Sequence, residues 1–470
     1  MELLIPLDSK SGKPLYEQIY YYIREEIRRG DLQPGSRLPS TRVLADHLKV
    51  SRSTTQMAYE QLLAEGYTEA RPNRGYFVAK LEELAGTGPQ TEAEMEISPE
   101  PSEPGYRIDF STRGVDLDSF PYNTWRKLSR NALSGAGKMF QSGSPQGEPG
   151  LREAIRSYLH TARGVNCTAD QIIVGAGSEY LLMLLCQILG GSCRIAMETP
   201  TYKQAYRVFN SLGCTVCPVE MDHFGMNPEL LAESGADAAY VMPSHQYPTG
   251  IIMPVGRRQE LLNWAEHGTE RYLIEDDYDS EFRYKGKPIP ALQGMDSGGK
   301  VICLGTFSRS IAPAIRISYL VLPPELLKRY REKAGFYAST VSRIDQNILY
   351  QFLSQGYFER HLNRMRAIYK AKHDVLLSAV RPLERDFLIQ GEFAGIHILL
   401  THKGGMTEEE LIRRAAAVGV RVYGMSGCDI GPGIRKKSST VIVGYVNLSE
   451  EEIREGVRLL TSCWLDSIAI

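Results

Sequence analysis

The chain has 470 residues, a formal net charge of −2 and 23% charged residues, a composition typical of a globular protein with room for two or three domains. The longest apolar run, residues 180–189, is too short to cross a bilayer. No basic segment precedes an apolar one at the N-terminus, so we expect neither a membrane span nor a signal peptide. Eight cysteines without the spacing of a disulfide framework favour a reduced, cytoplasmic protein. The closest pair, Cys214 and Cys217, is expected to pack near a strand, because no second pair completes a zinc site.

Residues 1–80 predict a small helical domain that ends in a hairpin. Apolar residues recur every four positions between Pro14 and Gly30, which predicts a first helix. Ser40 and Ser51 are suited to cap a second and a third helix. The turn sequence at residues 72–75 lies between alternating stretches and predicts a β-hairpin. Three helices followed by a hairpin form a winged helix-turn-helix.

The start of the third predicted helix suits DNA. It combines hydroxyl side chains, an arginine and free backbone N–H groups, all of which can bind phosphate oxygens or groove edges. Arg42 and the wing residues Arg74 and Gly75 are expected on the same side. Residues 1–80 contain 12 Lys/Arg and 10 Asp/Glu, so on the pattern alone a solvated pair of charged helices is an equal alternative.

Two runs within residues 10–80 resemble the GntR-type DNA-binding domain. They are Leu32-Gln33-Pro34-Gly35-Ser36-Arg37-Leu38-Pro39-Ser40 and Val50-Ser51-Arg52-Ser53-Thr54. The resemblance implies that operator DNA is the partner. The candidate DNA-binding residues are Arg42, Ser51, Arg52, Ser53, Thr54, Gln56, Arg74 and Gly75. Some relatives carry Arg at the position of Gln56, so the operator sequence is not predicted.

Residues 81–107 predict a linker. The segment is rich in Pro and Gly, and residues 81–105 hold seven Glu with no Lys or Arg. Low hydrophobicity and like charge favour an extended tether. DNA phosphates would repel it.

Residues 108–470 predict an α/β body with a mainly parallel sheet. Helical patterns alternate with short apolar runs at 172–174, 239–242, 272–274, 301–304 and 318–322. We divide the body into a large subdomain of about 108–345 and a smaller α+β subdomain of about 346–470. Functional residues are expected at the carboxyl ends of the strands.

Three motifs follow these strands. Gly177 and Ser178 open a helix whose N-terminus could bind an anion, although most such turns only start helices. Asp276 and Tyr278 could hold a pyridinium nitrogen and a ring hydroxyl. An acidic loop or a divalent-metal site are the alternatives, because five carboxylates cluster between residues 275 and 281. Tyr202 could stack on a flat ring or belong to the core.

The segment Thr306-Phe307-Ser308-Arg309 with Arg316 resembles the cofactor segment of fold-type I pyridoxal-phosphate enzymes. Together with the GntR-type head, the body resembles the MocR/GabR group of transcription regulators. The resemblance implies a fold-type I aminotransferase-like body, a head-to-tail homodimer and a role in effector binding, in dimerisation or in both. The implied cofactor-binding residues are Gly177, Ser178, Tyr202, Asp276, Tyr278, Thr306, Ser308, Arg309 and Arg316.

Four positions depart from the family pattern. Arg309 replaces the lysine that forms the Schiff base, and a guanidinium stays charged and cannot replace that amine. Asn447 and Gln204 stand where relatives carry carboxylate-binding arginines, and Ser142 stands where a Tyr reaches the partner's phosphate.

These departures predict a regulator without transaminase activity, which has no catalytic residues and binds pyridoxal phosphate non-covalently if at all. Arg309 would then bind an anion or tie Asp276 and its neighbours together in an empty pocket. The alternative functions are a 2-aminoadipate-like aminotransferase with an accessory head and a scaffold that binds no ligand.

Overall fold

The computed structural model describes residues 3–8, 11–80, 105–134, 136–284, 286, 288–391, 395–431 and 438–465. The chain divides into two compact units, Met1–Ser102 and Glu103–Ile470. Apart from residues 105–107, the predicted linker lies outside the described residues. Among the described helices, none combines the length and the apolar character needed to span a bilayer.

The N-terminal unit is a winged helix-turn-helix. Its elements are α1 Leu15–Arg29, α2 Thr41–Leu48, α3 Arg52–Ala64, β1 Thr68–Arg71 and β2 Gly75–Val78. The side chains of Ser40 and Ser51 cap α2 and α3 by accepting hydrogen bonds from the N–H groups of Val43 and Thr54. Ile19, Ile23 and Ile27 recur on one face of α1 and are buried in a core with Tyr59 and Leu62 of α3. The predicted helices and hairpin therefore form around one small core.

The larger unit is built on an eight-stranded sheet of order β4-β11-β10-β9-β8-β5-β6-β7. Strands β6, β5, β8, β9 and β10 run parallel to one another, whereas β11 and β7 are antiparallel to the strands beside them. The strands are β4 Ile172–Gly175, β5 Arg194–Thr199, β6 Thr215–Asp222, β7 Gly225–Met226, β8 Ala238–Val241, β9 Tyr272–Asp277, β10 Val301–Thr306 and β11 Ser318–Val321. The predicted α/β fold with a mainly parallel sheet is confirmed.

Both faces of this sheet are buried. Alternate residues of β10 point to opposite cores, with Ile302 and Leu304 on one side and Cys303 on the other. Burial on both faces explains why the sequence of the central strands is continuously apolar. The covering and flanking helices are α4 Tyr122–Ser134, α5 Ala136–Met139, α6 Pro149–Arg163, α7 Ser178–Leu189, α8 Lys203–Ser211, α9 Pro228–Glu233, α10 Val255–Glu266, α11 Pro324–Lys333, α12 Arg343–Ser354 and α13 Tyr357–Val380.

A second, four-stranded sheet of order β12-β13-β16-β15 forms the C-terminal part. Its elements are β12 Phe387–Gln390, β13 His397–His402, α14 Glu408–Ala417, β15 Tyr423–Gly424, β16 Thr440–Gly444 and α15 Glu450–Leu465. A two-stranded parallel sheet pairs β3, Ile108–Asp109, with β14, Val420–Arg421. Ile108 and Phe110 are buried in the C-terminal core, so the start of the body packs with its C-terminal part, although the sequence pattern assigned it to the large subdomain.

Candidate functional site

The candidate residues of the body converge at one edge of the large sheet. Ser178 follows β4, Tyr202 follows β5, Tyr278 follows β9, and Thr306 ends β10. These strands run in one direction, so their carboxyl ends meet at the crevice where ligands bind in open α/β sheets.

A cavity of about 550 Å³ lies at this edge, within the size range of small-molecule sites. Six predicted residues line it: Ser178, Tyr202, Asp276, Tyr278, Thr306 and Arg309. The other three, Gly177, Ser308 and Arg316, are not in its lining, although Gly177 and Ser308 are next to lining residues in the sequence. Segments far apart in the sequence complete the wall, among them Thr112 and Tyr423.

Asp276 is the acidic group of the cavity. It is 8% exposed, and its carboxylate accepts a short hydrogen bond from the hydroxyl of Tyr240. Burial raises the pKa of Asp276 to about 7, although the Tyr240 hydrogen bond and the charge of Arg309 act in the opposite direction. A cationic ring nitrogen placed beside this carboxylate would favour its ionised form.

Tyr278 is anchored beside Asp276 by a buried polar network. Its hydroxyl lies 3.0 Å from Nδ1 of His245, which is 2.9 Å from the carboxylate of Asp279. Burial raises the pKa of Tyr278 well above its usual value, so the phenol stays neutral. A neutral phenol whose orientation is fixed can donate a hydrogen bond to a ring oxygen.

Arg309 is half-buried at the cavity wall. Its guanidinium donates a 2.8 Å hydrogen bond to the backbone carbonyl of Thr112. Within the described residues it forms no ion pair with a carboxylate within 4.0 Å. Arg309 and Asp276 therefore form no ion pair. One interpretation of the sequence, in which Arg309 ties Asp276 and its neighbours together, required such a pair.

Two of the residues that the resemblance assigns to the phosphate, Gly177 and Arg316, lie close to each other. Gly177 has a φ of 94°, and a Cβ there would lie 2.2 Å from a guanidinium nitrogen of Arg316. Arg316 pairs with Glu179 at 2.7 Å and its side chain is 52% exposed. The buried hydroxyl of Ser308 has no hydrogen-bond partner in the described structure.

The clustered carboxylates of residues 275–281 have separate partners. Glu275 accepts from the N–H groups of Leu292 and Gln293. Asp277 pairs with Arg163 at 2.8 Å, and Glu281 accepts from Tyr158 at 2.7 Å. In the part of the chain that the structure describes, no group of three or more His, Cys, Asp or Glu side chains could hold a metal ion.

The remaining departures lie in different places. Gln204 lines the cavity. Asn447 donates a 3.1 Å hydrogen bond to the carbonyl of Asp109 and is exposed outside the cavity lining. Ser142 is exposed as well. Of these three side chains, only Gln204 could touch a ligand in this cavity.

The sequence analysis missed a set of basic residues in the cavity lining. They are Arg113, Lys203, Arg207 and Arg421. Lys203 and Arg207 follow Tyr202 and are four positions apart in α8, so helical periodicity places them on one face. Arg113 and Arg421 follow no recognisable motif, and only the pairing of β3 with β14 brings their segments together.

In the N-terminal unit, the candidate DNA-binding residues lie on the surface. Thr54 is half-buried, and the other seven are exposed. The buried Thr55 hydroxyl donates a 2.9 Å bond to the carbonyl of Thr41, which fixes α3 against α2. Asn73 and Gly75 have φ values of 60° and 96°, so the wing turn needs residues that tolerate a left-handed backbone. The side-chain amide of Gln56 donates to Glu60 on the exposed face of α3.

The cavity fits the pyridoxal phosphate group except for covalent attachment. Asp276 and Tyr278 suit the ring nitrogen and ring oxygen. The unpartnered Ser308 hydroxyl and the N–H groups at the start of α7 are donors suited to a phosphate. Arg309 offers no nucleophilic amine.

Two family models match the chain. Residues 112–457 match aminotransferase class I and II, and residues 15–78 match the bacterial regulatory proteins of the gntR family. The fold and these matches define a GntR head fused to an aminotransferase-like body.

The chain is similar to transcription regulators over nearly its whole length and to an aminotransferase over part of it. The uncharacterized HTH-type transcriptional regulator YhdI of Bacillus subtilis is 41% identical over 100% of both chains. The probable rhizopine catabolism regulatory protein MocR of Rhizobium meliloti is 33% identical over 98% of this chain and 96% of its own. The multiple substrate aminotransferase of Thermococcus profundus is 27% identical with a TM-score of 0.69, over 77% of this chain and 92% of its own. The chain belongs to the family of MocR-type HTH transcriptional regulators.

Proposed function

We propose that the protein is an operator-binding transcription regulator whose aminotransferase-like body binds a small molecule and does not transaminate. The observation that carries the proposal is Arg309, a guanidinium in place of an amine at the wall of the cavity. Transamination needs an amine there for covalent attachment and for proton transfer.

DNA binding is supported by the exposed start of α3. Ser51 caps this helix, and its hydroxyl also lies 2.7 Å from the hydroxyls of Ser53 and Thr54. Arg52 is the first helical residue and is exposed. An arginine at a helix N-terminus can reach a phosphate or the major-groove edge of guanine.

Pyridoxal phosphate is proposed as a non-covalent ligand. When bound, it supplies an electron-withdrawing pyridine ring and an aldehyde. Asp276 would face the ring nitrogen, Tyr278 would donate to the ring oxygen, and Tyr202 would stack on the ring. Gly177, Ser178, Thr306, Ser308 and Arg316 would surround the phosphate. Arg316 contacts Glu179 through one guanidinium nitrogen, so its other N–H groups could donate to the phosphate.

A homodimer is proposed for the body. Large apolar side chains lie exposed on and after α4, namely Tyr122, Leu133 and Phe140, which are 57%, 47% and 70% exposed. Such a group of exposed apolar residues favours contact with another protein surface. Light scattering on the full chain should give twice the monomer mass of 52.6 kDa, and a monomer at micromolar concentration would contradict this part.

An aminotransferase is the second candidate function, because the solved structures that the body resembles include aminotransferases. Arg309 is the observation against it. Lys203 is a lysine of the cavity lining, and an aminotransferase would have to use such a residue in place of position 309.

DNA binding is tested by gel shift with the upstream region of the protein's own gene. We expect the affinity to fall steeply with salt, because phosphate contacts release counterions. Arg52→Ala should weaken binding by about 1–3 kcal/mol. The matched control is Arg331→Ala, which removes an exposed arginine of α11 in the body and should leave the affinity unchanged. Equal affinities of the two variants would contradict the recognition-helix assignment.

A further inference from the structure

Three buried cysteines of the larger unit lie in contact with one another. Sγ of Cys214 lies 3.2 Å from Sγ of Cys193 and 3.5 Å from Sγ of Cys186. The three residues are 4%, 6% and 3% exposed. Cys217, the nearest cysteine to Cys214 in the sequence, instead donates a weak 3.7 Å bond to the carbonyl of Ser234. The fold, and not the spacing in the sequence, therefore selects the partners of Cys214.

Cys193 and Cys214 lie side by side at the amino ends of two neighbouring parallel strands. They precede Arg194 and Thr215, the first paired residues of β5 and β6. The N–H of Thr215 donates a 3.0 Å hydrogen bond to the carbonyl of Cys193. Neighbouring strands are about 4.8 Å apart, which is within the Cα separation of about 4.4–6.8 Å that a disulfide requires. The two sulfur atoms can therefore form a bond with little movement of the backbone.

Cys193 also lines a second cavity, which has a volume of about 250 Å³. This cavity opens to solvent, since its lining includes the exposed residues Asp237 and Glu270. Cys214 and Cys186 are not in the lining. A small oxidant would therefore reach Cys193 first, and would find Cys214 in contact behind it.

A cluster of thiols can bind a soft metal ion or undergo oxidation. The described part of the chain contains no group of three or more His, Cys, Asp or Glu side chains that could hold a metal ion, which favours oxidation. We propose that Cys193 and Cys214 are an oxidation site, at which hydrogen peroxide converts the two thiols into a reversible disulfide. The inference goes beyond the proposed function, because the pair lies at the amino ends of the strands and the larger cavity lies at their carboxyl ends.

The oxidation takes place in two steps. In the first, the Cys193 sulfur attacks hydrogen peroxide, the O–O bond breaks, and the thiol becomes a sulfenic acid with release of water. In the second, the Cys214 sulfur attacks the Cys193 sulfur, the S–S bond forms and the S–O bond breaks. The departing hydroxyl takes the thiol proton of Cys214 and leaves as a second water. The two thiols together lose two electrons, and one peroxide molecule is reduced to two waters.

The first step is expected to be slow. Burial and the neighbouring Cys214 thiol raise the pKa of Cys193 above its usual value, and a protonated thiol is a poor nucleophile. The second step is favoured by the 3.2 Å contact, because reacting atoms that are already held together need no encounter. The pair therefore stays reduced under mild conditions and forms the disulfide under sustained oxidation.

The test treats the full chain with hydrogen peroxide, blocks the remaining thiols by alkylation, and maps cross-linked peptides by fragmentation mass spectrometry without reduction. We expect a link between Cys193 and Cys214 that disappears after treatment with dithiothreitol. A link between Cys186 and Cys214 in its place would overturn the assignment. Oxidation of Cys217 without any link at Cys193 would overturn it as well.

Cys193→Ser and Cys217→Ser are the matched variants. Cys193→Ser removes one partner of the disulfide, whereas Cys217→Ser removes a nearby thiol of β6. We expect the link to be lost in Cys193→Ser and kept in Cys217→Ser. Equal yields of a link at Cys214 in the two variants would contradict the proposal. If Cys193→Ser does not fold, the peptide map of the unchanged chain decides alone.

Urea unfolding of the oxidised chain gives a second measurement. A disulfide between Cys193 and Cys214 restricts the unfolded chain and should stabilise the folded one. The urea midpoint should therefore rise on oxidation and return after dithiothreitol, and Cys193→Ser should show no such reversible rise. A fall of the midpoint in the cross-linked chain would show that the bond strains the two strands, and would contradict the geometry inferred for the pair.

Discussion

The candidate site of the head is built from one short stretch of sequence, whereas the cavity of the body is built from segments that are far apart in the sequence. In the head, the candidate residues lie within one helix-turn-helix and its wing, and each is held by local features such as the Ser51 cap and the Asn73–Gly75 turn. In the body, the cavity is assembled from the ends of strands and loops between Thr112 and Ile442. A site of the first kind can be predicted from a short run of sequence, whereas a site of the second kind depends on the fold.

The largest effect is expected from Gly177→Ala. The φ of 94° disfavours a side chain, and the new Cβ would lie 2.2 Å from a guanidinium nitrogen of Arg316, so Arg316 would have to move away from the proposed phosphate site. We expect pyridoxal phosphate affinity, measured by equilibrium dialysis, to fall at least 100-fold while DNA affinity stays unchanged.

Gly190→Ala is the matched control for this substitution. Gly190 has a similar φ of 104°, but no atom lies within 4 Å of its added Cβ. It should reproduce the backbone strain without the loss of cofactor affinity. If both variants lose affinity equally, the loss comes from strain, and the assignment of Gly177 and Arg316 to the phosphate is wrong.

A second, pH-dependent effect is expected from Asp276→Asn. Burial raises the pKa of Asp276 to about 7, so the folded chain holds this proton to higher pH than the unfolded chain does. The stabilisation from this group is complete below about pH 4 and is lost as the pH rises through about 7. In Asp276→Asn this loss should disappear, and the melting temperature should fall less between pH 5 and pH 8.

Glu198→Gln separates this stability effect from ligand binding. Glu198 is fully buried in β5, and burial raises its pKa to about 7, but it does not line the cavity. Both variants should flatten the dependence of melting temperature on pH. Only Asp276→Asn should weaken pyridoxal phosphate binding, by about tenfold or more. Weakened binding in both variants would contradict the role of Asp276 at the ring nitrogen.

The smallest effect is expected from Ser51→Ala in the head. Loss of the cap on α3 costs about 1 kcal/mol of stability, measured by urea unfolding of the full chain. Ser40→Ala removes the corresponding cap of α2 and should cost a similar amount. Ser51→Ala should weaken DNA binding more than Ser40→Ala, because Ser51 also orders Ser53 and Thr54. Equal DNA affinities would remove Ser51 from the interface.

The sequence predicted the framework of both units well. The apolar runs at 172–174, 239–242, 272–274 and 301–304 are β4, β8, β9 and β10, because strands buried on both faces leave a continuous apolar run. Strand β5 was missed, since it begins with Arg194 and contains the buried Glu198. That carboxyl group accepts a hydrogen bond from the N–H of Met226, a contact that no local pattern predicts.

The site was predicted in part. Asp276 and Thr306 lie at the ends of recognisable strands and Ser178 follows another, and all three line the cavity. Arg113 and Arg421 could not be predicted, because the pairing of Asp109 with Arg421 joins residues 312 positions apart in the sequence. The ion pair of Arg316 with Glu179 was also missed, since nothing in the motif indicates an acidic partner at the phosphate end.

The central claim, a cofactor cavity without covalent chemistry, is tested most directly by borohydride reduction. The full chain and Arg309→Lys are each incubated with pyridoxal phosphate, reduced and mapped by peptide mass spectrometry. We predict no adduct on a cavity peptide of the unchanged chain, including the peptide of Lys203, and an adduct at position 309 in Arg309→Lys. A reducible adduct on a cavity lysine of the unchanged chain would contradict the claim and favour an enzyme.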